Sequence, residues 1–255
     1  MRFSLAVIAA LCVLVSSGRA EAGNDHTPTY VLVHGAFHGG WSWQKVAEKL
    51  RAGDAQVYTP TLTGLGERAH LARPDVGLST HVQDIVSLIQ MEDLHDVILV
   101  GHSYAGMVIT GVAAAIPSRI KKLVYLDAVI PEPGQSFFGM IGFPAPPPEV
   151  TMLPSFPPED FGLTEDDDIA YVGARLRPQP TATFEEPLVF SWSTLSKIPK
   201  AYIRCTGEWF SRETFKAFAA KARAWHWDYD EIDSGHDAMV TEVSDTVKAI
   251  RRAAR

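Results

Sequence analysis

The chain has 255 residues, of which 46% are hydrophobic and 21% charged, and it carries a formal net charge of −7. That length and balance suit one globular domain with a sizeable buried core. The acidic surplus favours solubility and leaves no electrostatic footprint for nucleic acid, which is excluded as a partner.

The chain opens with Arg2, an apolar run from Leu5 to Val15, and Ala20-Glu21-Ala22. This order of positive, apolar and small-residue segments predicts a secretory signal peptide over residues 1–22, cut after Ala22. The apolar run is too short to span a bilayer comfortably. An exported protein, periplasmic or secreted, with no membrane attachment after cleavage is therefore expected. Cys12 would leave with the signal. Cys205 would remain as a single thiol, unable to form an intrachain disulfide.

Residues 23–255 read as one α/β domain. Tyr30–Val33 is an apolar strand running into His34-Gly35, and Trp43–Arg51 has helical spacing of Val46, Ala47 and Leu50. Ala55–Thr59 is a short second strand. A helix opening at Thr80 carries Val82, Ile85, Val86 and Ile89 on one face. Val97–Val100 is a buried strand, Met107–Ile116 a helix, and Lys122–Asp127 another strand. Most of the 17 prolines then fall in residues 131–190, with many Phe and Met. Such a segment cannot continue a βα repeat. It is too apolar for a solvated tether, so an inserted cap is expected. Strand Ala201–Cys205, helix Arg212–Arg223, a strand at Trp227–Ile232 and a last helix at Val240–Arg252 complete the chain. Strands alternating with helices predict a doubly wound, mostly parallel six-stranded sheet.

Gly101-His102-Ser103-Tyr104-Ala105-Gly106 lies between a buried strand and a helix. That is the setting of a nucleophile elbow, in which a strained turn lifts a serine hydroxyl above the sheet edge. A serine needs a base, and the base needs an orienting carboxylate. His236, in Asp233-Ser234-Gly235-His236-Asp237 after the last strand, stands where the base belongs. Two carboxylates qualify as the acid. Asp127 ends an apolar strand, where a charge needs a partner, and Glu208 follows the strand Ala201–Cys205. Asp233 and Asp237 are too near His236 in sequence to reach its ring from behind.

The oxyanion of an acyl-transfer intermediate needs two preorganised backbone donors. Tyr104, after the nucleophile, should supply one amide. Ala36, in His34-Gly35-Ala36-Phe37-His38-Gly39-Gly40, should supply the other, with Phe37 the near alternative. That loop lacks the Gly-Lys-Ser/Thr ending of a phosphate cradle. His34 and His38 are four apart, but in a Gly-rich loop rather than on a helix, and no other metal-ligand spacing is present. No cofactor and no metal are expected.

His34-Gly35-Ala36-Phe37-His38-Gly39-Gly40-Trp41-Ser42-Trp43, the elbow and Gly235-His236 together resemble the α/β-hydrolase superfamily. More narrowly they resemble its branch of plant methyl-ester esterases, hydroxynitrile lyases and related bacterial carboxylesterases. The resemblance runs over most of residues 29–252. It implies Ser103 as nucleophile, His236 as base, and Ala36 and Tyr104 as oxyanion donors. Plant members carry an Asp where Glu208 stands and bacterial relatives an acid at Asp127, so the resemblance leaves the acid open. It also implies a sheet lacking the first two strands of the family fold.

The expected function is a serine carboxylesterase cleaving small apolar alkyl or aryl esters through an acyl-enzyme. The lyases of this branch use a lysine after the base and a threonine in the first loop. Here those positions hold Asp237 and Gly35, which argues against C–C lyase chemistry. A third reading is a hydrolase-fold binding protein without turnover. Epoxide hydrolases and dehalogenases need an Asp at the elbow, where this chain has Ser103.

Overall fold

The structure, a computed structural model, describes residues 27–255. The expected signal peptide lies outside the described residues.

Along the chain, β1 (Thr29–Val33) is followed by α1 (Gln44–Arg51), β2 (Gln56–Tyr58), α2 (Leu78–Met91), β3 (Val97–His102), α3 (Ala105–Ala115) and β4 (Ile120–Leu126). The chain then leaves for an excursion carrying α4 (Phe137–Ile141), β5 (Met152–Leu153), α5 (Asp166–Gly173), β6 (Gln179–Pro180) and α6 (Ala182–Glu185). It returns as β7 (Lys200–Cys205), α7 (Arg212–Ala224), β8 (Asp228–Ile232), α8 (Ala238–Thr241) and α9 (Val243–Ala253).

Six strands form one sheet in the order β2-β1-β3-β4-β7-β8, with every pairing parallel. β5 and β6 make a separate antiparallel pair within the excursion. Every residue of β3 is buried, as are most of those in β1 and β4. Successive strand residues point to opposite faces, so both faces of the sheet centre are covered. That is why these strands read as unbroken apolar runs. Helix α3 is apolar nearly all round because it packs on α2 as well as on β3 and β4. The amphipathic α1 buries Val46, Ala47 and Leu50 and packs against α9.

Several boundaries differ from the sequence reading, among them β4, which begins at Ile120, ahead of Lys122. Helix α2 begins at Leu78, ahead of Thr80, because Gly77 caps it in an extended conformation and Leu78 is itself buried. Helix α3 begins at Ala105, directly on the elbow. The last predicted helix is two helices, α8 and α9, broken at Glu242 (φ −116°, ψ 53°).

The topology positions the site. From β1 the chain steps outward to β2, then returns to the other side of β1 as β3. The carboxyl ends of β1 and β3 therefore flank the point where strand order reverses, the usual ligand crevice of an open α/β sheet. Among the described residues, no helix is long and apolar enough to cross a membrane.

Candidate active site

Three non-glycine residues just past parallel strands hold left-handed backbone: Phe37 after β1 (φ 66°), Ser103 after β3 (φ 57°) and Asp127 after β4 (φ 39°). Such conformations are strained for residues with a Cβ and persist where surrounding bonds over-determine them.

Those bonds are present at the elbow. The Ser103 amide donates to Leu126 O at 3.3 Å, and its carbonyl accepts from the amides of Gly106 at 3.1 Å and Val129 at 3.2 Å. A side chain at Gly106 would run into the Val129 carbonyl, so glycine is what lets α3 pass the end of β4. Gly35 is constrained in the same way. A Cβ there would lie 2.8 Å from His102 Nδ1 and 3.0 Å from Ser103 Cβ.

His236 follows β8 and is 2% exposed. Its Nδ1 donates to Asp127 Oδ2 at 2.7 Å, leaving Nε2 as the nitrogen with a free lone pair. Asp127 is held in turn. Its amide donates to Ile203 O at 2.7 Å, and its Oδ1 accepts from the Cys205 amide at 3.3 Å. The His236 backbone is fixed by its amide on Phe161 O at 2.8 Å and by His102 Nε2 on its carbonyl at 3.0 Å. The structure thus places Asp127, and not the alternative Glu208, against the imidazole. Glu208 lies in the loop past β7 with its side chain 84% exposed, paired with Arg212. It turns outward to Arg212, one helical turn on at the start of α7.

Ala36 and Tyr104 stand beside Ser103, in the loop after β1 and directly after the elbow serine. Neither amide meets an acceptor among the described residues. The amide of Phe37, the near alternative, is already taken by Gln179 Oε1 at 2.8 Å. Ala36, Phe37, Ser103 and His236 open on one cavity. The excursion supplies much of its wall, including Phe137, Phe138, Phe156 and Phe184, and the segment after β7 adds Trp209 and Phe215. Among the described residues, no Asp, Glu, Lys or Arg lines it.

Three other buried histidines, His34, His81 and His102, lie near these residues and stay neutral. Burial pushes His34 down to about 3 and His81 down to about 4, and drives His102 well below its ordinary value. His34 uses both ring nitrogens in one tautomer: Nδ1–H donates to Gly35 O at 2.8 Å, and Nε2 accepts the Leu62 amide at 3.1 Å. His81 bridges Thr63 O at 2.9 Å and the Tyr104 hydroxyl at 3.1 Å.

Sequence reasoning missed four residues here. The sequence reading considers His38 as a metal ligand, and Asp237 as an acid for its neighbour and as the residue in the place of the lyases' lysine, without joining them; the two pair with each other at 2.9 Å. Gln179 reaches the first loop from the excursion, across 142 residues of chain, and no local pattern announces it. Trp209 covers the His236 ring from the loop after β7. The one signal available was an acid directly after a buried histidine. Among the described residues, no group of three or more His, Cys, Asp or Glu could hold a metal ion.

The profile of the alpha/beta hydrolase family matches residues 30–249. A carbendazim hydrolyzing esterase from Nocardioides sp. (strain SG-4G) is 40% identical over 229 residues, covering 83% of this chain and 93% of that protein. A pFDCC methylesterase from Arabidopsis thaliana is 26% identical over 205 residues, covering 72% of this chain and 78% of its own. Among solved structures, an extracellular alpha/beta-hydrolase from a Paenibacillus species superposes with a TM-score of 0.77 at 25% identity, over 89% of this chain and 99% of that one. It is described as sharing structural and functional homology with tobacco salicylic acid binding protein 2.

Proposed function

This chain belongs to the alpha/beta hydrolase family, and from that premise we propose that it is a serine carboxylesterase acting on small, neutral, apolar alkyl or aryl esters. The carrying observation is the buried Asp127–His236 bond of 2.7 Å at the cavity on which Ser103 opens.

In this reading His236 Nε2 takes the Ser103 hydroxyl proton as Oγ attacks the ester carbonyl. Asp127 keeps the proton on Nδ1 and stabilises the imidazolium that forms. The amides of Ala36 and Tyr104 receive the oxyanion. His236 then hands its proton to the departing alcohol, and water, activated the same way, releases the acid and frees Ser103. The relatives named as esterases support this chemistry. The aromatic, uncharged wall supports neutral substrates, because a carboxylate buried there would have no partner.

Asp237 and Gly35 speak against a lyase. The first is committed to His38, and the second has no room for a side chain. Export rests on the signal-like residues 1–22 and is checked by the N-terminal sequence of protein recovered from periplasm or medium, which should begin at Gly23. The decisive experiment is Ser103→Ala. It should abolish turnover of p-nitrophenyl acetate and labelling by a fluorophosphonate probe, and retained turnover refutes the assignment.

A further inference from the structure

A second histidine–aspartate pair lies beside the first. His38 is 1% exposed and so is Asp237. His38 Nε2 lies 2.9 Å from Asp237 Oδ2, and His38 Nδ1 lies 2.6 Å from Ala36 O. Both ring nitrogens face acceptors, so both carry protons and the ring is an imidazolium. Burial alone would push His38 down. The Asp237 carboxylate, with its hydrogen bond and that of Ala36 O, reverses this and holds His38 above its ordinary value. Asp237 answers in kind: burial raises it, and the charge and hydrogen bond of His38 outweigh that and lower it.

A buried ion pair is weak evidence for stability, because desolvation can exceed the attraction gained. Its geometry shows what else it does. The peptide joining Ala36 to Phe37 is gripped at both ends, its carbonyl by His38 and its amide by Gln179 Oε1 at 2.8 Å. Gln179 is fully buried and is steadied by its own amide on Thr183 Oγ1 at 2.8 Å. These bonds hold Phe37 at φ 66°, where an unconstrained phenylalanine would not stay. Asp237 also directly follows His236 in the chain, so the loop carrying the base and the loop carrying Ala36 are tied by a charge-assisted bond.

We infer that His38 and Asp237 position the oxyanion-binding loop: together with Gln179 they fix the Ala36–Phe37 peptide, while His34 holds the Gly35 carbonyl of the preceding peptide, so that Ala36 is clamped on both sides and its amide cannot turn away from the developing oxyanion. They are positioning residues and touch no reacting atom. The inference rests on the esterase reading above and on Ala36 as a donor.

The test is Asp237→Ala beside Asp237→Asn, assayed for kcat, KM and inhibition by an aryl trifluoromethyl ketone, which forms a tetrahedral adduct on the serine. In Asp237→Ala, kcat should fall about 10- to 100-fold, the scale of a displaced catalytic group. KM should stay within about threefold, because the ground-state ester does not depend on the oxyanion donors. Ketone affinity should fall with kcat. Asp237→Asn should recover most of the loss. Its amide can donate to an unprotonated Nε2 while Nδ1–H stays on Ala36 O, so the grip survives without the charge. A folded Asp237→Ala with unchanged kcat and ketone affinity overturns the proposal, as does a loss confined to KM or an Asp237→Asn no better than Asp237→Ala. Should Asp237→Ala not fold, Gln179→Leu releases the other end of the same peptide and must show the same kcat-selective loss; unchanged kcat there overturns the proposal equally. Fluorophosphonate labelling of the unaltered protein separates the two claims. Its absence removes the esterase reading, whereas labelling with an indifferent Asp237→Ala removes only the positioning role.

Discussion

Trp209 lies face to face with His236, their ring centroids 3.9 Å apart and their planes inclined by 20°. In the esterase reading proposed above, the indole stands over the imidazole that becomes positively charged during turnover. A cation over a Trp face gains about 0.5–2 kcal/mol, more when water is excluded. Trp209→Leu should therefore lower kcat/KM about 2- to 30-fold, and Trp209→Phe should keep most of it. Equal losses in the two variants, measured by steady-state kinetics, would show that the aromatic face contributes nothing.

Asp127→Asn should lower kcat by about 10⁴, the effect of neutralising a triad carboxylate in a serine protease. Glu208→Gln should leave kcat within about twofold and stability within about 0.5 kcal/mol, as for an ordinary surface change. Assaying the two variants side by side decides the assignment, and a severe loss in Glu208→Gln would reverse it.

Those two carboxylates mark the limit of the sequence reading. That Ser103 and His236 would meet at one cavity was legible because their signals are local: a strand, a tight turn and a helix for one, and a Gly-His loop after the last strand for the other. Asp127 and Glu208 both follow strands that are neighbours in the sheet, β4 and β7. The choice between them is made by the positive φ of Asp127 and by the Cys205 amide that holds its second oxygen. Neither is written in the spacing of residues. The parallel sheet was readable from its apolar runs. The partners of His38 and Phe37 were not, because Asp237 and Gln179 arrive from 199 and 142 residues away.

Stability should fall on the acid side before the carboxylates titrate. His34, His81 and His102 have native values depressed below their unfolded value of 6.5. Each therefore binds a proton on unfolding once the pH drops below that value. Their contribution is complete above about pH 6.5 and is lost as pH falls toward their native values, near 4 for His81 and near 3 for His34. Around pH ~5 each should add about 1.4 kcal/mol of lost stability per pH unit. His38 acts in the opposite sense: its value is raised, so its contribution is present below 6.5 and is lost as pH rises through its native value. Urea unfolding from about pH 7 down to about pH 5 tests the acid limb. His81→Gln should flatten it by about one proton's worth, and an unaltered slope would contradict the burial argument.

Substrate charge should matter more than substrate size. Because no Lys or Arg among the described residues lines the cavity, a p-nitrophenyl hemisuccinate should be turned over at least about 100-fold less efficiently than p-nitrophenyl butyrate, reflecting the several kcal/mol needed to bury an unpaired carboxylate. Comparable kcat/KM for the two would mean that the acyl chain sits in water, not among the phenylalanines.

Phe184 meets Phe37, Tyr104, Phe137 and Phe138 with centroids 5.1 to 5.8 Å apart, joining the walls of the excursion to the loop after β1 and to the turn that holds Ser103. Phe184→Ala should cost about 3–5 kcal/mol of stability, read from thermal or urea unfolding, and should broaden the range of esters accepted.

The polypeptide departs the sheet through Ala128, Val129 and Ile130, all fully buried, and Val129 is bonded back to the carbonyl of Ser103. It rejoins at Lys200. Ser103, Asp127 and His236 thus sit past strand ends of the sheet, while the shape of the chamber comes largely from a stretch bounded by two fixed anchor points, which reaches back to the His236 amide through Phe161 O and to the Phe37 amide through Gln179. Recombination between relatives at those anchors would exchange appetite for one ester against another only where the incoming stretch keeps those two bonds, a constraint on how one ancestral scaffold could diversify what it consumes.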